Sequence, residues 1–414
     1  MAGAETVLPG GPSTRGVRPP LVEPDLDFLR SLRRQAGPDF KKCFQCGTCS
    51  STCDLSPADH PFPRKEMAWA AWGLKDRLVR DADVWLCHQC NDCTVSCPRG
   101  GRPGDVMAAA REATVIHYAL PRALARIAHE PHSLPLLLAI PFALLALALA
   151  LRGPIEEGLG LAAVAGERIV FPYSVFFPHW LLNGLFLTVT AFVLLVMLAG
   201  ALRFRAGLCA AERERNGPEP LRGRLASLLA ALRIAFGHRD FGTCTAARPR
   251  MLSHSLVLYG FLGLTIVTLF VITAPVNPLV RESFVYPFAF FSPMKLLANA
   301  AGAAVFAGAL LMIVRRLTDR SGSRGAFSDW LLLGGILLVV VTGFATELFH
   351  YLRLEPHRHV IYFVHLACAL GLIVSLPYSK LAHVVYRIVA IAHAERRGRT
   401  APLKGGIAKE VRHV

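Results

Sequence analysis

Six apolar stretches, at 134–151, 180–202, 251–274, 296–314, 330–350 and 360–379, constrain this chain more than any other feature. Each has roughly the ~20 residues needed to cross a bilayer core. In hydrocarbon the backbone finds no water, so such segments must satisfy their hydrogen bonds internally, as helices. The first contains Pro135 and Pro141, which keeps a re-entrant or core helix as the alternative there. The rest of the composition agrees: 53% of the 414 residues are apolar and 18% charged, whereas a soluble domain carries about 25% charge. A net charge of +16 would suit a nucleic-acid binder, but not in so apolar a chain. No nucleic-acid partner is expected.

The basic residues instead report topology. Ten arginines lie in 203–250 and four in 315–329, and the tail after Ser379 is also basic. The other connections carry two basic residues each: Arg152 and Arg168, Arg281 and Lys295, Arg353 and Arg358. With the N-terminal part inside, every strongly basic connection is cytoplasmic, as the positive-inside rule requires. The opening MAGAETVLPGGPSTRG lacks a basic region followed by an apolar one, so no cleaved leader is expected. In the long basic loop, Leu221, Leu225, Leu228, Leu229, Leu232 and Phe236 predict an amphipathic helix lying in the membrane interface, or one docking a partner.

Eight of the eleven cysteines form two runs, Cys43-x2-Cys46-x2-Cys49-x3-Cys53 and Cys87-x2-Cys90-x2-Cys93-x3-Cys97-Pro98. Both match the spacing of two-cluster ferredoxins, in which three thiolates wrap one cluster and the fourth crosses to the other. This predicts one [4Fe–4S] cluster on Cys43, Cys46, Cys49 and Cys97, and a second on Cys87, Cys90, Cys93 and Cys53. Structural zinc would use C-x-x-C pairs rather than two complete runs. Asp54 stands where the first run would often have proline. Cys209, Cys244 and Cys368 read as isolated structural thiols. A helical stretch, Arg64 to Asp81, separates the runs. This head resembles the α-helical ferredoxin of succinate dehydrogenase iron–sulfur subunits and of the C subunit of heterodisulfide reductase.

Ligating residues in membrane segments are functional candidates. His365 and His383 are 18 residues apart, which on one continuous helix is five turns and a separation of about 27 Å. His254 lies at the depth of His383, and two imidazoles facing across a bundle form the usual axial pair of a b-type haem. The spacing resembles the cytochrome b, or gamma, subunit of respiratory nitrate reductase, matching three of that family's four histidines. The fourth would fall near Leu264. A haem on His254 and His383 is therefore expected. A second, on His365, lacks its partner, with His350 and His179 as substitutes. Lys295, Glu347 and His350 lie near the outer surface, where a quinone needs a donor and a proton-exchanging group. That family also has a lysine near its quinol site, but Lys295 could equally be a snorkelling boundary residue.

The expected architecture is all-α: a disordered arm (1–24), a cytoplasmic two-cluster head (25–119), a six-helix transmembrane haem b domain (120–395) and a basic cytoplasmic tail (396–414). No flavin-type G-x-G-x-x-G turn, P-loop or C-C-G pair appears, so no independent substrate site is expected beyond a quinone site. The fusion order resembles the C-type membrane subunits of quinone-interacting membrane-bound oxidoreductases. That resemblance implies an inner-membrane location, menaquinone as substrate, and two soluble flavin and iron–sulfur partners related to the A subunit of heterodisulfide reductase. It also implies electron exchange with adenylylsulfate reductase in sulfur metabolism. Two alternatives remain: the anchor of another heterodisulfide-reductase-like or nitrate-reductase-like complex, and a non-redox membrane scaffold.

Overall fold

The computed structural model describes residues 22–57, 60–158, 173, 177–216, 223–237, 248–274, 277–280, 284, 288–318 and 326–398. Most of the predicted arm, the tail from 399, and Leu221, Cys244, Arg168 and Arg281 lie outside the described residues. Among the described residues the fold is all-α, as expected, with no strand.

The head contains α1 (Leu26–Ala36), α2 (Thr48–Ser51), α3 (Arg64–Ala71), α4 (Lys75–Val79), α5 (Asp83–Leu86), α6 (Asp92–Val95) and α7 (Pro103–Tyr118). Asp25 caps α1 by accepting from the Phe28 N–H at 2.8 Å. The helix expected over 64–81 is broken between α3 and α4. Gly73 there adopts φ +71°, and a Cβ would sit 3.0 Å from Leu29, so only glycine turns the chain this close to α1.

α8 (Arg122–His129) leads into α9 (Leu134–Ala150), which stays helical through Pro141, and α10 (Arg152–Gly158) follows it. Then come α11 (His179–Asn216), α12 (Arg224–Gly237), α13 (Arg248–Thr273), α14 (Pro293–Thr318), α15 (Phe327–Tyr351), α16 (His357–Ser375) and α17 (His383–Arg396). Among the described residues, six helices are long and apolar enough to cross a membrane: Pro131–Ala150, His179–Glu214, Arg250–Thr273, Pro293–Thr318, Phe327–Tyr351 and His357–Ser375. α13 and α14 pack backbone to backbone. A Cβ on Gly260 would lie 2.8 Å from the Ala301 carbonyl, and one on Gly308 2.8 Å from that of Ser253.

Head and bundle share one core. α11 spans about 57 Å at 1.5 Å per residue, and its Phe204 and Leu208 are buried with Phe40, Met67, Leu78 and Trp85 of the head and with Tyr386 and Ala390 of α17. Trp85 stacks on Tyr386 with ring centres 5.2 Å apart. The change of composition near residue 119 is therefore not a break in packing.

The helix expected in the basic loop forms as α12, which packs on α17 and buries Ser227 and Ala231, while Leu225, Leu228, Leu229 and Phe236 stay exposed. One other expectation needs correction. His365 and His383 do not share one helix. α16 ends at Ser375, a turn carries Pro377, which has no N–H to continue the ladder, and His383 begins α17 after a 3₁₀ turn at Lys380–Ala382.

Candidate functional site

The two cysteine runs form twin loops. Gln45 (φ 64°) and Gly47 (φ 86°) alternate with Cys43, Cys46 and Cys49, and Gln89 (φ 53°) and Asn91 (φ 68°) alternate with Cys87, Cys90 and Cys93 in the same places. Left-handed residues at these positions curl the backbone inward and turn successive N–H groups and thiols to one side. A short helix follows each loop, α2 after Gly47 and α6 after Asn91.

The fourth cysteines cross over. Cys43, Cys46, Cys49 and Cys97 line one cavity, with Arg64 and Met67. Cys53 faces Cys87 and Cys90, and Cys93 faces all three of these. Burial pushes the Cys49 thiol up to about 11, with Cys43 beside it adding to the shift, and Cys53 up to about 12. Burial and the neighbouring thiols also push Cys93 upward. Such thiols ionise only against a compensating cation, so each quartet fits a metal or metal cluster. Hydrogen bonds already aim at the sulfurs: the Gln89 N–H to Cys87 Sγ at 3.2 Å, and the Gly101 N–H to Cys97 Sγ at 3.1 Å.

A third cluster of acids, Glu66, Asp81 and Asp83, is filled by a side chain of the protein. Lys65 Nζ lies 2.5, 2.5 and 2.6 Å from their oxygens. Burial pushes Glu66 up to about 8, against the pull of Lys65.

At the end of the bundle nearest the head, the rings of His254 and His383 meet with centres 6.1 Å apart at 80°. Two imidazoles on one metal at about 2.0 Å each, with ring centres roughly 1.1 Å behind their nitrogens, stand about 6 Å apart. The pair has the spacing of two imidazoles that would share one metal, such as a haem iron. His383 Nδ1 donates to the Lys380 carbonyl, so Nε2 would be the atom to ligate it. Burial pushes this imidazole down to about 4, and Arg387, Arg111 and Lys380 reinforce the shift, so it is neutral.

The second expected pairing does not assemble. His365 turns to α15, where Nδ1 lies 3.1 Å from Thr342 Oγ1, and Gly343 leaves room for the ring. Leu264 packs into the apolar cluster of Val305, Ala309, Ile336 and Val340. Among the described residues no imidazole ring packs against His365. His350 is seven residues beyond Gly343, about 10 Å along α15, beside Tyr173 with ring centres 5.8 Å apart. His179 begins α11. Lys295 is ion-paired. Its Nζ is 3.0 Å from Glu347 Oε2, while Asn299 donates to Glu347 Oε1 at 3.2 Å.

Three arginines around the second loop escaped sequence reasoning. Arg250 Nη1 donates to the Gln89 carbonyl at 2.5 Å, and Arg387 Nη2 to His88 Nε2 at 2.9 Å. Arg111 Nε donates to the Val84 carbonyl at 2.8 Å, and its Nη2 to the Cys87 carbonyl. The only sequence signal was that Arg250 and Arg387 each stand four residues, one turn, from a paired histidine.

The head with its crossed quartets belongs to a known class. Residues 39–100 match the 4Fe-4S dicluster domain family. The head is 33% identical over 87 residues to the C subunit of the H(2):CoB-CoM heterodisulfide,ferredoxin reductase of Methanothermobacter marburgensis, covering 21% of this chain and 47% of that protein. It is 39% identical over 79 residues to a protein of Archaeoglobus profundus described as like the C subunit of heterodisulfide reductase, covering 19% and 42%. The chain thus spans about half the length of these curated relatives. It carries an iron–sulfur electron-transfer domain resembling the C subunit of heterodisulfide reductase, on a bundle of six apolar helices. A similarity that runs almost end to end is to citrate utilization protein B of Escherichia coli, 26% identical over 412 residues, covering 93% of this chain and 96% of that protein. No solved structure matches.

Proposed function

We propose that this chain is the membrane subunit of a quinone-linked oxidoreductase, passing single electrons between a soluble flavin-containing partner and a membrane quinone. One observation carries the reading: the second thiol quartet is held against the two helices that bear the paired imidazoles. Two [4Fe–4S] clusters and one haem b would supply the one-electron carriers. The two cysteine quartets hold the clusters, and His254 and His383 the haem. The Lys380 carbonyl fixes the His383 ring. Trp85, Tyr118, Phe204 and Tyr386 fill the junction and exclude water from it. The ten arginines of 203–250 favour a cytoplasmic head on the inner membrane.

The end-to-end similarity to a citrate utilization protein favours a soluble partner acting on a small organic acid. The head's likeness to the C subunit of heterodisulfide reductase supports a second reading. There, flavin and iron–sulfur proteins related to the A subunit of that enzyme link menaquinone to adenylylsulfate reductase. The test is the purified full chain in lipid, which is expected to hold about eight non-haem irons and one haem b, both reduced by added quinol. A chain without haem would overturn the haem reading and leave an iron–sulfur protein on a membrane anchor.

With one imidazole pair among the described residues, at the head end, quinone exchange belongs in that leaflet, and the Lys295–Glu347 ion pair is structural. Lys295→Met is expected to destabilise the chain by about 1–3 kcal/mol, because it leaves the half-buried Glu347 carboxylate with only the Asn299 amide of these two partners. The Lys295→Met/Glu347→Gln double variant should recover most of that loss in thermal melts. Its quinol-linked reduction should stay within about twofold of the parent. A tenfold loss in the well-folded double variant would return these residues to a quinone site.

A further inference from the structure

We propose that Arg111, Arg250 and Arg387 form a cationic clamp that sets the order of the two clusters. The quartet Cys53, Cys87, Cys90 and Cys93 would be the inner relay, held at a higher potential than the quartet Cys43, Cys46, Cys49 and Cys97. The inference rests on the clusters proposed above and adds their sequence in the path.

The geometry is one-sided. Arg250 and Arg387 reach the Cys87–Cys90 loop from the two helices that carry His254 and His383, each from one turn away, about 6 Å along its helix. Arg111 grips the same loop from α7, with Nη1 3.4 Å from Gln89 Oε1 besides its two carbonyl contacts. The hydrogen-bond acceptors of Arg111 and Arg250 are carbonyl oxygens of the backbone and of one amide. These contacts satisfy the N–H groups without cancelling the charge. The buried acids of the head and bundle have partners of their own: Lys65 sits among Glu66, Asp81 and Asp83, Arg316 and Lys380 hold Asp329, and Glu112 accepts from Gln35 and Ser328.

The first quartet has the opposite setting. Cys46 is exposed, and Phe44 beside it is 61% exposed. The nearby cations, Arg64 and Arg99, are both exposed, where water and salt screen them. A reduced cluster holds one more electron than an oxidised one, so buried positive charge lowers its energy and raises its potential. One electron from the soluble donor then moves from the solvent-facing cluster to the clamped one and on to the membrane acceptor. No bond is made or broken at either quartet.

The test is a redox titration, followed by electron paramagnetic resonance, of the full chain in lipid, with Cys46→Ser and Cys90→Ser assigning each signal to its quartet. In Arg250→Gln and Arg387→Gln, the clamped cluster's midpoint is expected to fall while the other holds. Electron partition between the two should change at least tenfold, which is 59 mV for a one-electron couple. Arg250→Lys should restore most of the midpoint, because it keeps the charge, and it also serves if a glutamine variant fails to fold. Unmoved midpoints, or a shift confined to the Cys43 quartet, would overturn the clamp while leaving the electron-transfer reading in place. A parent chain without cluster signals would overturn both.

Discussion

Replacing His383 with alanine is expected to cut the haem b content of the purified chain at least about tenfold, measured by pyridine haemochrome, while non-haem iron stays at the parental level. In the haem reading His383 would be one of the two ligands. It starts α17, its Nδ1–H is committed to the Lys380 carbonyl, and its ring is neutral and faces His254 at 6.1 Å between centres. Alanine removes one ligand and leaves His254 opposite a void. The iron–sulfur quartets do not use this side chain, so their signals should persist and quinol-linked reduction of the clusters should fail. His365→Ala is the internal control. That ring contacts Thr342 and Gly343 rather than another imidazole, so its variant should keep its haem. Full haem in His383→Ala, or loss only in His365→Ala, would sink the assignment.

The reasons some of this was legible in the sequence, and some not, are physical. Cysteine ligation depends on short spacing, and the crossed quartets follow from two complete runs. Apolar length is a local property, so the six spans could be read one by one. The pairing of His254 with His383 also emerges, but on a different backbone from the continuous five-turn helix that the 18-residue spacing suggested. Pro377 ends that helix, and the 3₁₀ turn at Lys380–Ala382 re-aims the chain so that His383 still reaches its partner. The break at Gly73 was hidden because a lone glycine inside a helical pattern is tolerated as often as it breaks one. The arginine clamp was hidden for another reason. Arg250 and Arg387 reach partners 161 and 299 residues away, and among 45 basic residues nothing local distinguishes them from those that only set topology. The partner of His365 was an inference from a family pattern, and Leu264 packed among aliphatic residues is the structural reason it does not apply here.

The crossed arrangement of the cysteines leads to a second large effect. Cys53→Ser and Cys90→Ser, from different runs, are expected to abolish the same one of the two cluster signals, and Cys97→Ser and Cys46→Ser the other. Uncrossed runs predict the reverse grouping, with Cys53 following Cys46. The geometry favours crossing, since Cys53 faces Cys87 and Cys90 while Cys97 shares a cavity with Cys43, Cys46 and Cys49. Serine is nearly isosteric with cysteine but a poor ligand for iron, so each variant should lose about four of eight non-haem irons. Cys90→Ser also separates an electron conduit from a scaffold. The shared core of Trp85, Phe204 and Tyr386 does not involve Cys90, so the variant should still assemble in the membrane with its haem. If the clusters only brace the head, an assembled Cys90→Ser chain would pass electrons from the soluble donor to quinone at the parental rate. If the second quartet is the relay, that rate should fall at least a hundredfold, about 2.7 kcal/mol on the barrier, while direct reduction of the haem by quinol at the head-side leaflet survives. Parental donor-to-quinone transfer in an assembled Cys90→Ser chain would exclude the relay and leave the scaffold.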